Sequence, residues 1–279
     1  MINNFIGSLL QKPSYTLKKP AGFDFSQWES VSDWSKVVFP DGTKVIITKA
    51  TGREGRGDYV DPTFASYYSA FKSLPYLRGA YHFFGNPTGA FEQAKNFAGT
   101  LLKNGWTKND LAILDLEWTP PKNTDLPTGE KLAYQVKVWL DAVEDTLGVK
   151  CIIYTNRSFW SYLLDRAGNP PSWMKDYLFW IAWYPNSAYI DSNETLPLSM
   201  YPTGVTKDQV IGWQYAANWV IPGINYDGVD VNVFYMDKLQ GIPTPPPPVV
   251  TPPQSEIITR RQLEITLTTT DPNAKLEIK

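Results

Sequence analysis

Short apolar or alternating runs recur along the chain at 22–26, 44–50, 78–84, 111–118, 150–155, 178–184, 209–215 and 229–235. Their length and period predict eight β-strands. Helical periodicity fills the early gaps. A short pattern covers 32–38, and another covers 62–74, where Asp61 and Pro62 supply a cap and a first-position proline. The pattern at 90–104 ends at Gly105. The one at 129–147 carries Leu132, Val136, Trp139, Leu140 and Val143 on one face and ends at Gly148. A fifth covers 158–167 before Gly168. After the sixth strand the helical pattern stops, 185–208 reads as loop, and the last strands follow without helices. Alternating strands and helices imply a parallel sheet with right-handed crossovers. Eight strands suggest closure, giving an α/β fold: an irregular TIM-like barrel of five βα units followed by three strands. The competing architecture is an open doubly wound sheet. No G-x-G-x-x-G follows the first strand, which removes the dinucleotide-binding version.

Chemistry enters at Leu111-Ala-Ile-Leu-Asp-Leu-Glu-Trp118. Side chains alternate along a strand, so Ala112, Leu114, Leu116 and Trp118 share one face. Leu111, Ile113, Asp115 and Glu117 share the other. Burial and a like-charged neighbour both raise a carboxyl pKa. Such a pair can hold one protonated and one ionised group near neutral pH, as glycosidic-bond cleavage requires. The alternative is a pair of surface acids at a strand end. Barrel sites lie at C-terminal strand ends, so Asp24 and Asp230 can converge with Asp115 and Glu117.

Composition adds limits. The 279 residues carry a net charge of -2 and no basic stripe, which argues against nucleic acid. Eleven Trp and 16 Tyr favour sugar stacking only weakly, since large aromatics are mostly core. Cys151 is the sole cysteine and reads as a buried, inert thiol. One histidine and one cysteine leave no zinc site of ordinary spacing, and the proposed chemistry needs no metal or cofactor. No run approaches the roughly 18 apolar residues of a membrane span. Residues 1–20 read as an extension without the basic start of a secretory signal.

An ordered series of motifs then carries a resemblance. It comprises Gly22-Phe-Asp-Phe-Ser-Gln27, Thr48-Lys-Ala-Thr51, Asp61-Pro-Thr-Phe64 and Gly79-Ala-Tyr-His-Phe83. It continues through Leu114-Asp-Leu-Glu117, Tyr154-Thr-Asn156, Trp180-Ile-Ala-Trp-Tyr184, Trp213-Gln-Tyr215 and Val229-Asp-Val-Asn-Val-Phe234. In this order, from Gly22 to about Asp237, the chain resembles the glycoside hydrolase family 25 muramidases, the CH-type lysozymes. The resemblance implies a (β/α)5(β)3 barrel. It also implies cleavage of the β-1,4 bond between N-acetylmuramic acid and N-acetylglucosamine in peptidoglycan.

By that resemblance Glu117 is the general acid. Asp115 is its partner, orienting the substrate's N-acetyl group or stabilising an oxocarbenium-like state, and Asp24 and Asp230 complete an acidic ring. The bland alternatives are a turn cap with Ser26 for Asp24 and a salt bridge for Asp230. Tyr81 is a candidate donor to the acetamido group or to a carboxylate. Tyr154, Trp183 and Gln214 are candidates for the sugar groove, with packing as the alternative for each. His82 falls on the opposite face from Tyr81 and reads as structural. Arg56-Gly57-Asp58 reads as a chance tripeptide in a Gly-rich loop.

The barrel is expected to span 21–242. Residues 243–253 read as an extended proline-rich spacer, and 254–279 as a β-hairpin or a fragment of a further module. The expected partner is the glycan of the bacterial cell wall, reached by secretion or phage delivery, with no integral membrane segment. Two rivals remain: a chitinase-like glycosidase, and a non-catalytic wall-binding or phage structural protein. The chitinase strand pattern D-x-x-D-x-D-x-E, aligned on Glu117, finds Asp110 and Asp115 but Ile113 in place of its middle Asp.

Overall fold

The computed structural model describes residues 21–52, 59–85, 89–117, 128–185, 195–225 and 228–239. The expectations for residues 1–20, for Arg56-Gly57-Asp58, for Trp118 and for 243–279 lie outside them.

The expected barrel is present and closed. Its strands are β1 (Ala21–Phe25), β2 (Thr43–Gly52), β4 (Leu77–Phe83), β5 (Leu111–Leu116), β6 (Ile152–Thr155), β7 (Leu178–Ala182), β8 (Val210–Trp219) and β9 (Val229–Phe234). Parallel pairing runs from β1 through β2 and β4 to β8. Strand β9 closes the circle and runs antiparallel to both β8 and β1. A further strand, β3 (Tyr59–Val60), pairs with the end of β2. Two residues carry no readable period, which is why the sequence pattern missed it.

Helices α1 (Phe64–Phe71), α2 (Ala90–Lys103), α3 (Glu130–Leu147) and α4 (Arg157–Trp160) cover the early half. All five residues expected on the inner face of α3 are buried, and Gly148 ends the helix in the left-handed conformation, with φ 70°. Three helices are shorter than predicted, each beside an aspartate that captures nearby N–H groups. Asp33 accepts from Ser35 N at 3.0 Å, and the pattern at 32–38 yields only a 3-10 turn at Trp34–Lys36. Asp61 accepts from Thr63 N at 2.9 Å and Thr63 Oγ1 at 2.6 Å, so α1 begins only at Phe64. Asp165 Oδ1 accepts from Ala167 N and Asn169 N, each at 2.8 Å, and forms a turn where helix was expected. No described helix is long and apolar enough to cross a membrane.

Strand alternation sorts the apolar residues into two cores. Phe23, Ile46, Ala80, Leu114, Ile153 and Phe179 point outward beneath the helices. Val45, Ile47, Leu77, Ile113, Ile152, Ile211 and Phe234 fill the barrel. Phe234 needs two glycines. A Cβ at Gly22 would lie 2.4 Å from its ring, and one at Gly212 would lie 2.7 Å away. His82 is fully buried on the outer face, stacked on Trp139 between Gln93 and Thr51. Burial lowers its pKa to about 3, so it stays neutral, in keeping with a structural residue.

Candidate active site

The filled lower barrel leaves a small cavity at the mouth where the parallel strands end. It measures about 70 Å³ and is lined by Asp24, Tyr81, Asp115, Glu117, Tyr154, Trp180, Tyr184, Gln214 and Asp230. A wider depression of about 990 Å³ lies at the start of α3, but its ionisable Glu130, Lys131 and Arg166 are exposed. Four acids whose pKa values are raised by burial line the smaller space, Asp24, Asp115, Glu117 and Asp230, and it is therefore the candidate site.

Each acid arrives by strand geometry. Asp115 continues the inward face of Leu111 and Ile113, and Glu117 follows just beyond β5. Asp24 is the fourth residue of β1. Asp230 is the second residue of β9, so it stands at a strand start rather than a strand end. It reaches the same mouth because β9 is reversed, and Asp24 and Asp230 are direct register partners.

Hydrogen bonds separate the acids. Asp24 Oδ2 accepts from Asn232 Nδ2 at 2.7 Å and from Gln214 Nε2 at 3.0 Å. Both amides are fixed in orientation. Trp180 Nε1, a donor only, donates to Asn232 Oδ1 at 3.0 Å. Tyr154 OH at 2.6 Å and Tyr184 OH both donate to Gln214 Oε1. Tyr154 OH also lies 3.4 Å from Glu117 Oε2. Asp115 Oδ1 is buried and has no hydrogen-bond partner among the described residues.

Burial raises every one of these carboxyl pKa values. Asp24 rises to about 6, held back by its bonds from Asn232 and Gln214. Asp230 is also raised, first by burial and then by the charge of Asp24; because Asn232 and Gln214 donate to Asp24, the proton of this pair rests on Asp230. Asp115 is pushed well above the carboxylate range, first by burial and then by Glu117. Glu117 is also raised by burial, with Tyr154 and Lys49 opposing. Burial and the surrounding acids raise Tyr81 and Tyr154 too, which keeps both hydroxyls as donors. The cavity thus offers a proton-sharing acid pair beside an uncompensated acceptor, with hydroxyl donors around them. Such a set can protonate a leaving oxygen and hold a polar substituent in a fixed orientation.

Seven of the eight candidates from the sequence line this cavity; Trp183 does not. Its ring stacks on Trp213 at 5.8 Å and its carbonyl accepts from Trp213 Nε1 at 2.7 Å. Trp180 and Ala182 set the inward parity beyond β7, which selects Tyr184 and turns Trp183 towards the outer core. The structure therefore places Trp183 outside this cavity. Sequence reasoning also passed over Asn232, Trp180 and Lys49. Asn232 lies two residues after Asp230 and so shares its face, a signal of the same form as Asp115 and Glu117. Lys49 is buried on β2, with its Nζ 5.1 Å from the Phe83 ring centre and 5.4 Å from that of Tyr59. Its charge lowers the pKa values of Asp115 and Glu117. It lay inside one of the quoted motifs without a role.

Comparison with known proteins agrees with this fold. The model of the family described as "Glycosyl hydrolases family 25" matches residues 23–224. Lysozyme M1 of Streptomyces globisporus is 28% identical over 221 residues, covering 76% of this chain and 67% of that protein. The uncharacterized protein YegX of Escherichia coli O6:H1 is 29% identical over 233 residues, covering 82% and 74%. Among solved structures, the bacterial lysozyme from Streptomyces coelicolor superposes with a TM-score of 0.61 at 25% identity, covering 79% of this chain and 94% of that one. The spore cortex lytic enzyme SleM of Clostridium perfringens shares the fold, with a TM-score of 0.60 at 22% identity over 77% of this chain and 67% of that one.

Proposed function

The chain belongs to glycosyl hydrolase family 25 and is a peptidoglycan hydrolase of the lysozyme type, an N-acetylmuramidase, and we propose that Asp115 and Glu117 carry its reaction. The observation supporting these roles is the buried Oδ1 of Asp115, which lies beside Glu117 and has no hydrogen-bond partner among the described residues. A substrate acetamido N–H placed there gains a charge-assisted hydrogen bond.

Burial raises both carboxyls, and Asp115 Oδ1 has no donor among the described residues while Glu117 Oε2 faces Tyr154 OH, so the pair's proton favours Asp115 until a donor reaches Oδ1. The substrate N–H stabilises the Asp115 carboxylate, and the proton then resides on Glu117. Glu117 protonates the glycosidic oxygen as the C1–O bond breaks. The acetamido carbonyl oxygen, oriented by Asp115, attacks C1 from the opposite face. Glu117, now a carboxylate, removes a proton from water as that water opens the cyclic intermediate. Ionised Asp24 and the fixed dipoles around it stabilise positive charge at the sugar ring. Tyr81 donates to a substrate oxygen, Tyr154 holds the Gln214 amide in place, and Lys49 limits the net negative charge. The site of action is the bacterial cell wall.

The test is incubation with purified peptidoglycan and, separately, with chitin, followed by mass spectrometry of the new reducing ends. Reducing ends at N-acetylmuramic acid with chitin intact are expected. Reducing ends at N-acetylglucosamine, or release of chitin fragments, would reject this assignment.

A further inference from the structure

At about 70 Å³ the catalytic cavity has roughly the volume of two waters. A glycan strand that reaches into it must extend over the rim, and the loop leaving β1 provides an unusual rim contact. Trp28 is 68% exposed and lies four residues after Asp24. Lone exposed apolar side chains are ordinary on protein surfaces. What distinguishes Trp28 is how firmly its loop is held.

Ser26 donates to the Glu29 Oε2 atom twice, from N at 2.6 Å and from Oγ at 3.0 Å. Trp28 N donates to Ser26 Oγ at 3.3 Å, and Gln27 N to Asp61 Oδ2 at 3.0 Å. Tyr67 OH accepts from Val31 N at 3.0 Å and donates to the Glu29 carbonyl. Asn225 N donates to the Ser30 carbonyl at 3.0 Å. Glu29 and Asp61 are both buried, and burial raises the Glu29 pKa. Burying two carboxylates costs free energy that a casual surface loop has no reason to spend. The return is an indole presented with little backbone entropy left to lose on binding.

We infer that Trp28 is a stacking platform for a pyranose ring of the glycan, adjacent to the sugar whose substituent enters the cavity. The inference rests on the muramidase reading. Apolar ring faces of the alternating polysaccharide are the matching chemistry for an exposed, pre-set indole. Glu29 and Asp61 act as positioning residues that hold the platform.

The experiment uses the full chain and a peptide-free tetrasaccharide of alternating N-acetylglucosamine and N-acetylmuramic acid. KM and kcat are measured for Trp28→Ala and Trp28→Phe. Kd is measured by calorimetry for the same changes in a Glu117→Gln background. Trp28→Ala should raise KM and Kd about 10-fold, with the smaller effect on kcat, and Trp28→Phe should restore most of the loss. Melting temperatures of both variants should match the parent. KM and Kd within two-fold of the parent in Trp28→Ala would overturn the platform. Equal losses in the Ala and Phe variants would assign the effect to the loop and also overturn it. If the parent leaves the tetrasaccharide uncut, the muramidase reading fails, and the Kd comparison still decides the platform.

Discussion

Replacing Asn232 by Leu isolates the device that keeps Asp24 charged. The amide is fully buried and gives Asp24 a hydrogen bond of 2.7 Å. Gln214 at 3.0 Å remains as the second donor. A hydrogen bond to a charged group contributes about 1.5–3 kcal/mol. At about 1.4 kcal/mol per pKa unit, its loss raises the Asp24 pKa by about 1–2 from its starting value near 6. Asp24 then competes with Asp230 for their shared proton in the neutral range. If an ionised Asp24 supports turnover, the acid limb of kcat/KM against pH moves up by the same amount. The alkaline limb, set by Glu117 as proton donor, stays in place, so the bell narrows from one side. Trp180 also loses its acceptor, which predicts a stability loss of about 1–3 kcal/mol. The assay is a pH series of kcat/KM on a soluble oligosaccharide, with thermal melts to choose temperatures at which the variant is folded. A uniform loss of rate at every pH, with both limbs unmoved, would refute this reasoning and reduce Asn232 to a packing residue.

Glu117→Gln should lower turnover by at least about 10²–10⁴-fold while retaining oligosaccharide binding, read by single-turnover kinetics and calorimetry; near-parental rates would remove Glu117 as the acid. Asp115→Asn should lose activity yet melt higher than the parent at pH 7. Its folded pKa is raised, so its contribution to stability is full below the unfolded value near 4 and is lost as pH rises through the folded value. The advantage of Asn should therefore vanish in melts near pH 4, and persistence there would contradict the burial argument. Trp183→Phe should change oligosaccharide KM less than Tyr184→Phe, because only Tyr184 borders the cavity; the reverse order would restore Trp183 to the groove. Truncation after Gly241 retains the buried Leu239 and every proposed acid, so cleavage of small soluble fragments should survive; a folded but inactive truncation would show that the division before residue 243 is misplaced.

The barrel was legible because its strands repeat a two-residue period and its helices a 3.6-residue one, and both cores follow those periods. Asp115 and Glu117 were legible for the same reason: two acids on the inward parity of an apolar strand are conspicuous. Trp183 misled because the loop after β7 contains two large aromatics, and composition does not say which faces in. Parity counted from Trp180 does. Asn232 escaped because an amide has no charge to draw notice, although its spacing from Asp230 repeats that of Asp115 and Glu117. Glu29 and Asp61 were beyond reach as a pair. They meet the same loop from residues 32 positions apart, and only the fold shows that Asp61 supports Gln27 as well as Thr63.

The reversed direction of β9 has a consequence for when the enzyme becomes active. Asp24 and Asn232 are joined across 208 residues of sequence, and closure requires the first strand to wait for the last. Such long-range pairing folds slowly compared with local contacts. During synthesis, a chain arrested before β9 has Asp24, Asp115 and Glu117 but neither Asp230 nor Asn232, the nearer of the two amide donors to Asp24. A ribosome-bound or prematurely terminated product therefore lacks Asp230 and Asn232 and has an unsealed sheet edge. Competence switches on with the final seam, which ties the ability to cut a cell wall to completion of the barrel.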